Sequence, residues 1–555
     1  MAALCACNDF SIVAAGSFDR TGDDGTVSVK ELIRVIKEAA SENHGLSNEE
    51  YDELLKALNH QDTDRHNHAV RAGLAKYLYK LLDVILPNDD TGEQVGYLVT
   101  AFALLFQCSD EYKLICYDTV GRNLIPLLLH TCEMCLYGKV TKDHSPELIL
   151  ATVTKILGIF CKLTETRKLM AGNEDLLNGL VDIIDCKISA DARVDAIWAV
   201  SILALDDENR LILSRHPDII DALIEAADLE HDMTKNEISA AILNISAVSE
   251  AHTPLANHPG FLSLVHKLLM TVGEPQVRAA GIIRNIASSE GARCELIVFD
   301  KGAILGALSH TMIRSKNETA AARAAGAIKN LSFTVDPAMQ KLMLEHSEFL
   351  KSIGRGASSS SENVRSYASV ALRNFAECCQ HPMEGHATLM DILVEASMVS
   401  LNTVGGSYAE KIANSYLIQA SRLENVMPMV KYPGLLEGIT RLATCNEAEA
   451  RISGTKTLEL LASTQVTKVQ LCSEPDVLNT IVTVITDNNP LYEEARDNMF
   501  LLIHHLVMLE QNRPTLVNHE NLLEAMIKCI RRTEEAALRK VRFQALSILL
   551  PSLLQ

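Results

Sequence analysis

Short apolar stretches alternate with polar breaks along most of the chain, and four of these stretches align without gaps. They are AAILNIS at 240–246, GIIRNIA at 281–287, GAIKNLS at 326–332 and VALRNFA at 370–376. Each is followed by a polar break and a second apolar run. The asparagines of the four stretches lie 41, 45 and 44 residues apart: Asn244, Asn285, Asn330 and Asn374. A helix–break–helix rhythm of this period predicts an all-α chain of stacked repeats.

The same period extends outward in weaker form. The segments 194–227 and 93–135 each form a unit, and further units begin near five other residues: Glu147, Tyr408, Glu447, Glu494 and Glu535. The pattern fades toward both ends, as expected for terminal repeats that have only one neighbour. The sequence therefore predicts about ten repeats over residues 91–555, with a small helix–loop–helix cap over residues 1–90.

The four asparagine-containing units resemble the armadillo-repeat family, and the resemblance extends over roughly residues 90–555. It implies a right-handed superhelical solenoid in which the third helix of each repeat lines a concave groove. It also implies that the four asparagines hold the backbone of an extended peptide, since an amide offers a donor and an acceptor together. The alternative is that these amides only tie down a neighbouring turn.

Trp198 in IWAVSIL occupies the position at which family members that bind lysine-rich nuclear signals carry Trp, four residues before the groove Asn. Ile202 stands in place of that Asn. The asparagine-containing units in turn have other residues at the Trp position: Ala240, Gly281, Gly326 and Val370. Because Trp and Asn never occur in the same unit, the sequence argues against nuclear import by that mechanism.

Basic residues accompany the asparagines. Arg284, Lys329 and Arg373 directly precede three of them, and Arg278 and Arg323 lie seven residues before two of them, on nearly the same helix face. Residues 274–380 contain 13 basic and 10 acidic residues, although the whole chain carries a net charge of −20. This local excess of positive charge predicts an extended partner that is acidic or phosphorylated. The alternative is a solvated face whose cations pair with acids of adjacent helices.

Residues 18–32, FDRTGDDGTVSVKEL, resemble an EF-hand loop with oxygen ligands for calcium. The candidate ligands are Asp19, Thr21, Asp23, Ser28 and Glu31. Asp19 and Glu31 are twelve residues apart, however, whereas the first and last ligands of such a loop are eleven apart. The competing interpretation is a degenerate helical cap without an ion, and calcium is the one cofactor that the sequence brings into consideration.

Composition narrows the functional class. The acidic balance disfavours general nucleic-acid binding, because phosphate backbones repel such a chain. No run of 18 apolar residues occurs, so we expect no membrane span. The 14 cysteines are scattered, mostly at apolar helical positions, which favours a reducing compartment. We therefore expect a cytoplasmic protein that is also compatible with the nucleus.

No phosphate-binding Gly loop, nucleophile elbow or metal-protease His pair is found, so we expect no enzyme. The interpretation that fits best is a non-enzymatic scaffold or adaptor that binds other proteins through the groove. Two alternatives stay open. One is a calcium-responsive regulator that acts through the N-terminal loop, and the other is a transport receptor or chaperone-like carrier. Fold alone does not choose among them.

Overall fold

The computed structural model describes residues 28–59, 63–89, 92–140, 145–228, 232–378, 387–398, 406–532 and 536–553. Within these ranges every regular element is helical and no strand occurs. The prediction of an all-α chain is therefore confirmed. The chain divides into two compact units, Met1–Ala251 and His252–Gln555, which we call unit 1 and unit 2.

Unit 1 is built from short helices that follow one another closely. They are α1 (Val29–Glu42), α2 (Asn48–Leu58), α3 (Thr63–Arg71), α4 (Leu74–Ile85), α5 (Glu93–Leu105), α6 (Asp110–Cys116), α7 (Arg122–Leu136), α8 (Pro146–Lys162), α9 (Thr164–Ala171), α10 (Glu174–Asp185), α11 (Ala190–Leu203), α12 (Asp207–Arg215), α13 (Ile219–Ala226) and α14 (Asp232–Ile245). A π-helical turn, Tyr117–Gly121, joins α6 to α7.

Unit 2 continues with helices of the same kind. They are α15 (His252–Asn257), α16 (Phe261–Met270), α17 (Glu274–Ile286), α18 (Glu290–Val298), α19 (Ala303–Arg314), α20 (Glu318–Leu331), α21 (Pro337–Glu345), α22 (Ser347–Ala357), α23 (Glu362–Cys378), α24 (Ala387–Ser397), α25 (Gly406–Ala420), α26 (Leu423–Lys431), α27 (Leu435–Ala443), α28 (Ala448–Leu461), α29 (Gln465–Ser473), α30 (Pro475–Thr486), α31 (Glu493–Val507), α32 (Arg513–Asn518), α33 (Leu522–Arg532) and α34 (Ala536–Leu549).

In both units most of the described helices form triplets of a short first helix, a second helix and a longer third helix. In unit 1 the third helices α8, α11 and α14 pack on one another in turn. In unit 2 the third helices α17, α20, α23, α25, α28, α31 and α34 do the same, and so do the second helices from α16 to α33. Each helix thus buries its apolar stripe against the equivalent helix of the next repeat. The predicted armadillo-type solenoid is confirmed.

Glycine marks the turn between the first and second helices in unit 2. Gly260, Gly302 and Gly434 precede α16, α19 and α27 with φ angles of 77°, 92° and 74°. This left-handed conformation is available to glycine without steric cost, whereas a side chain would be strained there. The polar breaks of the sequence therefore include conformationally specific turns.

Buried asparagines secure the turn that follows three of the third helices, α11, α25 and α31. The side-chain amides of Asn209, Asn425 and Asn512 donate to the carbonyls six residues earlier, at N···O distances of 3.0, 3.2 and 3.2 Å. All three side chains are at most 3% exposed. They satisfy carbonyl groups that the end of a helix leaves without an intrahelical partner.

Replacing Asn209 by alanine should therefore destabilise unit 1. The substitution removes bonds to the carbonyls of Leu203 and Arg167, at 3.0 and 3.3 Å. A buried carbonyl left unsatisfied costs about 1–3 kcal/mol. Chemical denaturation followed by circular dichroism measures the loss. The control is Asn123→Ala, at an exposed position of α7, where we expect a change within about 0.5 kcal/mol. Equal effects for the two variants would contradict the capping role.

One stretch of unit 2, Glu290–Arg314, has the length and hydropathy of a membrane-spanning helix. Asp300 and Lys301 interrupt it, however, with φ angles of 39° and 56°. The stretch consists of α18, a 3-10 turn and α19, which pack on the neighbouring repeats, and 56% of its most apolar window is buried. It is thus composed of two helices of one repeat.

At the N-terminal end, α1 and α2 pack against α4 and α5, in the way that equivalent helices of successive repeats pack elsewhere. Ser47 begins α2 with a capping box, in which its hydroxyl accepts from the backbone N–H of Glu50 and the Glu50 carboxylate accepts from the backbone N–H of Ser47. The boundary predicted between residues 90 and 91 does not coincide with the division into units, and it stays a prediction.

Candidate functional site

The predicted groove residues lie on third helices. Asn244 lies on α14 of unit 1, and the others lie on α17, α20 and α23 of unit 2. We call the unit 2 set, together with Tyr367 of α23, the ladder face. Its members are Arg278, Arg284, Asn285, Arg323, Lys329, Asn330, Tyr367, Arg373 and Asn374.

Three of the four asparagines donate to the preceding repeat. The side-chain amide nitrogen of Asn244 lies 2.9 Å from the carbonyl oxygen of Ser201, and that of Asn330 lies 2.7 Å from the carbonyl oxygen of Arg284. The amide of Asn374 donates to the hydroxyl of Ser332 at 2.9 Å. These bonds match the alternative that the amides tie neighbouring turns. They also leave the amide oxygen as the group that could accept from a ligand.

The side chain of Arg284 crosses Gly326 on the next third helix. A Cβ atom added at Gly326 would lie 2.9 Å from Cδ of Arg284 and 3.6 Å from Cε2 of Tyr367. Glycine at this position therefore lets the stem of Arg284 lie flat over α20 and reach toward the Tyr367 ring. Gly326, four residues before Asn330, thus makes room for the Arg284 side chain as well as for the neighbouring helix.

A second cation, Lys329, also lies near the ring of Tyr367. Nζ of Lys329 lies 5.5 Å from the centre of the Tyr367 ring and 5.9 Å from that of Phe333. Distances in this range allow a cation–π attraction. The ladder face thus combines positive charge with an aromatic surface. No carboxylate lies within 4 Å of Lys329 or Arg284 among the residues that the structure describes.

The remaining cations differ in their surroundings. Arg323 donates to the carbonyl of Val277 at 3.1 Å. Burial, followed by repulsion from Arg284 and Arg278, lowers the pKa of Arg323 despite the attraction of Glu274. Two cations have carboxylates nearby, but these lie on their own helix and not on an adjacent one: Arg278 lies 4.0 Å from Glu274, and Arg373 lies 3.7 Å from Glu377.

A cavity of about 420 Å³ opens on the ladder face. Its wall includes two arginines, an aromatic ring and three further polar side chains: Arg284, Glu318, Thr319, Arg323, Asn363 and Tyr367. Sequence reasoning predicted the two arginines and missed the others. The register offered a signal for Tyr367, because this residue lies seven positions before Asn374, as Arg323 does before Asn330.

The calcium hypothesis falls mostly outside the described residues, where Asp19, Thr21 and Asp23 lie. Ser28 caps α1 by accepting from the backbone N–H of Glu31, and the Glu31 carboxylate accepts from the guanidinium of Arg34 at 2.6–3.2 Å. The hydrogen bond from Arg34 lowers the pKa of Glu31. Calcium binding stays a prediction.

Comparison with known proteins places the fold. No family model and no curated protein matches the sequence. Among solved structures, the chain is similar to an engineered protein at 18% identity with a TM-score of 0.54, covering 78% of this chain and 99% of that one. It is also similar to a structure from work on a phosphorylation switch that controls the interaction between cadherin and beta-catenin, at 13% identity and a TM-score of 0.48, covering 89% and 99%.

A third similarity is to a designed armadillo repeat protein in complex with the peptide (KR)4, at 22% identity and a TM-score of 0.36, covering 45% of this chain and 99% of that one. At such identities a likeness concerns the fold alone. The three-helix repeats of this chain, with third helices stacked on third helices, are the arrangement of an armadillo-type solenoid. The chain has the armadillo-type solenoid fold.

Proposed function

We propose that the protein is a non-enzymatic scaffold or adaptor that holds an extended acidic or phosphorylated segment of another protein against the ladder face. The observation that carries this proposal is the grouping of Arg284, Arg323 and Lys329 on two successive third helices. None of the three has a carboxylate within 4 Å among the described residues. Cations that remain unpaired in a chain of net charge −20 favour an anionic partner over an internal one.

In this arrangement the asparagines would align the backbone of the bound segment with the repeats. Because the amide nitrogen of Asn330 already donates to the preceding repeat, its oxygen is the atom available to a peptide N–H group. A bound segment would therefore donate to Asn330 and place its acidic side chains toward the neighbouring cations. Charge-assisted bonds at the cations would then supply most of the affinity.

Reversing three ladder-face charges tests this proposal. The variant Arg284→Glu/Lys329→Glu/Arg373→Glu should lose affinity for a fluorescein-labelled peptide of alternating Glu and Ser residues. A peptide of about twelve residues spans about 40 Å when extended. We expect a loss on the order of 100-fold, because each exposed contact contributes roughly 0.2–1 kcal/mol and reversal adds repulsion. Fluorescence anisotropy measures the affinity, which should also fall with increasing salt.

Three cations of unit 2 on first and second helices give a matched control: Lys341, Lys351 and Arg355. All three are exposed, and the variant Lys341→Glu/Lys351→Glu/Arg355→Glu changes the net charge by the same amount. This control should bind the peptide within a few-fold of the unmodified chain. Equal losses in the two variants, or retained binding in the ladder-face variant, would exclude the ladder face as the binding surface.

A further inference from the structure

The cavity on the ladder face brings together guanidinium groups from two successive repeats. Arg284 comes from α17 and Arg323 from α20, and both line its wall. Arg323 uses one N–H group on the carbonyl of Val277. A guanidinium has five N–H donors, so others remain for a ligand. The two cations repel each other, and an anion between them would relieve this repulsion.

Contacts with neighbouring third helices position both arginine side chains. The bond to Val277 holds Arg323, and the absence of a side chain at Gly326 lets the stem of Arg284 approach from the neighbouring helix. The ring of Tyr367 adds an aromatic surface to the wall. Thr319 and Asn363 lie in the first turns of α20 and α23, where the positive ends of the helix dipoles also favour an anion.

We propose that this cavity binds the phosphoryl group of a phosphorylated side chain. The inference rests on the proposed function and names the chemistry of one position on the ladder face. A phosphoryl monoester carries a charge of about −1.5 to −2 and three acceptor oxygens at neutral pH. It can therefore neutralise two guanidinium groups and accept from both. A carboxylate carries a single charge and neutralises only one of them.

Glu318 gives the proposal a distinctive test, because it is the one carboxylate among the described residues that line the cavity. Its Oε1 atom accepts a hydrogen bond from the hydroxyl of Ser361 at 2.8 Å. A negative side chain in the wall opposes an anionic ligand and limits its affinity. Removing that charge should strengthen phosphoryl binding, whereas removing a cation should weaken it.

The experiment titrates the full chain with N-acetyl-O-phosphoserine amide, followed by ³¹P NMR. The capped amides of serine and glutamate serve as matched ligands, and N-acetyl-O-phosphotyrosine amide distinguishes the two sources of phosphoryl group. The variants are Arg284→Gln, Arg323→Gln, Glu318→Gln and Gly326→Ala. The control is Arg314→Gln on α19, at an exposed position outside the cavity wall, which changes the net charge by the same amount as each arginine variant.

We expect phosphoserine amide to bind at least about tenfold more tightly than glutamate amide. Arg284→Gln and Arg323→Gln should each weaken it by about tenfold or more, and Glu318→Gln should tighten it by about threefold to tenfold. Gly326→Ala leaves the charge unchanged but displaces the stem of Arg284, and it should weaken binding by about threefold or more. Arg314→Gln should bind as the unmodified chain does.

Equal affinities for phosphoserine amide and glutamate amide would overturn the phosphoryl assignment. So would equal losses in Arg323→Gln and Arg314→Gln, because these would show charge attraction without a site. Neither result touches the proposed function, which depends on the acidic peptide and the triple charge reversal. If instead that peptide binds independently of the ladder face while phosphoserine amide meets the expectations above, the proposed function fails and the cavity assignment stands.

Discussion

Replacing Arg451 by methionine is expected to destabilise unit 2 by about 3–5 kcal/mol, because it removes a buried guanidinium together with its hydrogen bonds to two carbonyls and its ion pair with a half-buried carboxylate. The Arg451 side chain is 4% exposed. Its guanidinium donates to the carbonyls of Cys445 and Thr444, both at 2.9 Å, and pairs with the carboxylate of Asp487 at 2.6 Å. It also lies 3.8 Å from the centre of the Tyr492 ring. One side chain thus joins the turn before α28 to the turn before α31.

Two measurements test this expectation. Chemical denaturation gives the free energy of unfolding, and hydrogen exchange shows whether the loss is centred on residues 444–492. The matched control is Lys528→Met, which removes a cation whose partner Glu524 lies on the same exposed helix face. That variant should lose no more than about 0.5 kcal/mol. A similar small loss in Arg451→Met would contradict the joining role of Arg451.

The dependence on pH adds an internal check. Burial alone would raise the pKa of Asp487, but the backbone N–H of Asn489 and the guanidinium of Arg451 together lower it. A carboxyl whose pKa is lowered in the folded state contributes stability above its unfolded pKa of about 3.9 and loses that contribution as the pH falls through the folded pKa. The difference in stability between the unmodified chain and Arg451→Met should therefore shrink below about pH 4.

The arginines of the third helices show which part of the site could be predicted from the sequence. On a third helix, an arginine seven residues before the ladder position lies on the ladder face, as Arg323 does. An arginine nine residues before the ladder position lies on the opposite side of the helix, rotated by about 180° from that position. Arg365 holds that position before Asn374, and it donates to the carbonyls of Ser359 and Ser360 at 2.7 Å. Charge alone cannot distinguish an arginine of the ladder face from an arginine that binds the preceding turn. The position in the helical repeat distinguishes them.

The asparagines illustrate a different limit. The repeat spacing predicted that Asn330 and Asn374 lie at equivalent positions, but it could not predict what each amide donates to. Their partners, the carbonyl of Arg284 and the hydroxyl of Ser332, belong to the preceding repeat and are brought close only by the stacking of the helices. Asn209 was missed for the opposite reason. It lies in the first turn of a short helix, beside a polar break, where asparagine is common and carries no periodic signal.

The repeat period predicted the solenoid because each repeat buries the same apolar stripe. The cavity could not be predicted in the same way. Its wall combines residues from three repeats, and the sequence gives no sign that these residues lie close together. The local excess of positive charge between residues 274 and 380 pointed to the helices that carry Arg284 and Arg323. Only the approach of Arg284 and Tyr367 to Gly326 shows that three repeats contribute to one cavity.

Replacing Phe349 by alanine should destabilise the repeat that carries the far wall of this cavity, at a cost of about 3–5 kcal/mol. Phe349 of α22 is fully buried, and its ring meets the ring of Phe375 of α23 edge to face, at a centroid distance of 6.1 Å. Edge-to-face aromatic pairs add to the free energy of burial. Because solenoid stability is largely a sum over repeats and their interfaces, the loss should be local to α22 and α23.

Hydrogen exchange measured peptide by peptide distinguishes this local loss from a global one. In Phe349→Ala, amides of α22 and α23 should exchange at least about 100-fold faster, since each 1.4 kcal/mol of lost local stability is about a tenfold change. The control Phe543→Ala removes a side chain that is 51% exposed on α34, and exchange in α22 and α23 should not respond to it. Phe349→Leu keeps an apolar side chain of similar size and should recover most of the loss, because the cavity left by alanine is largely filled. If leucine recovers nothing, burial at this position does not account for the stability of α23.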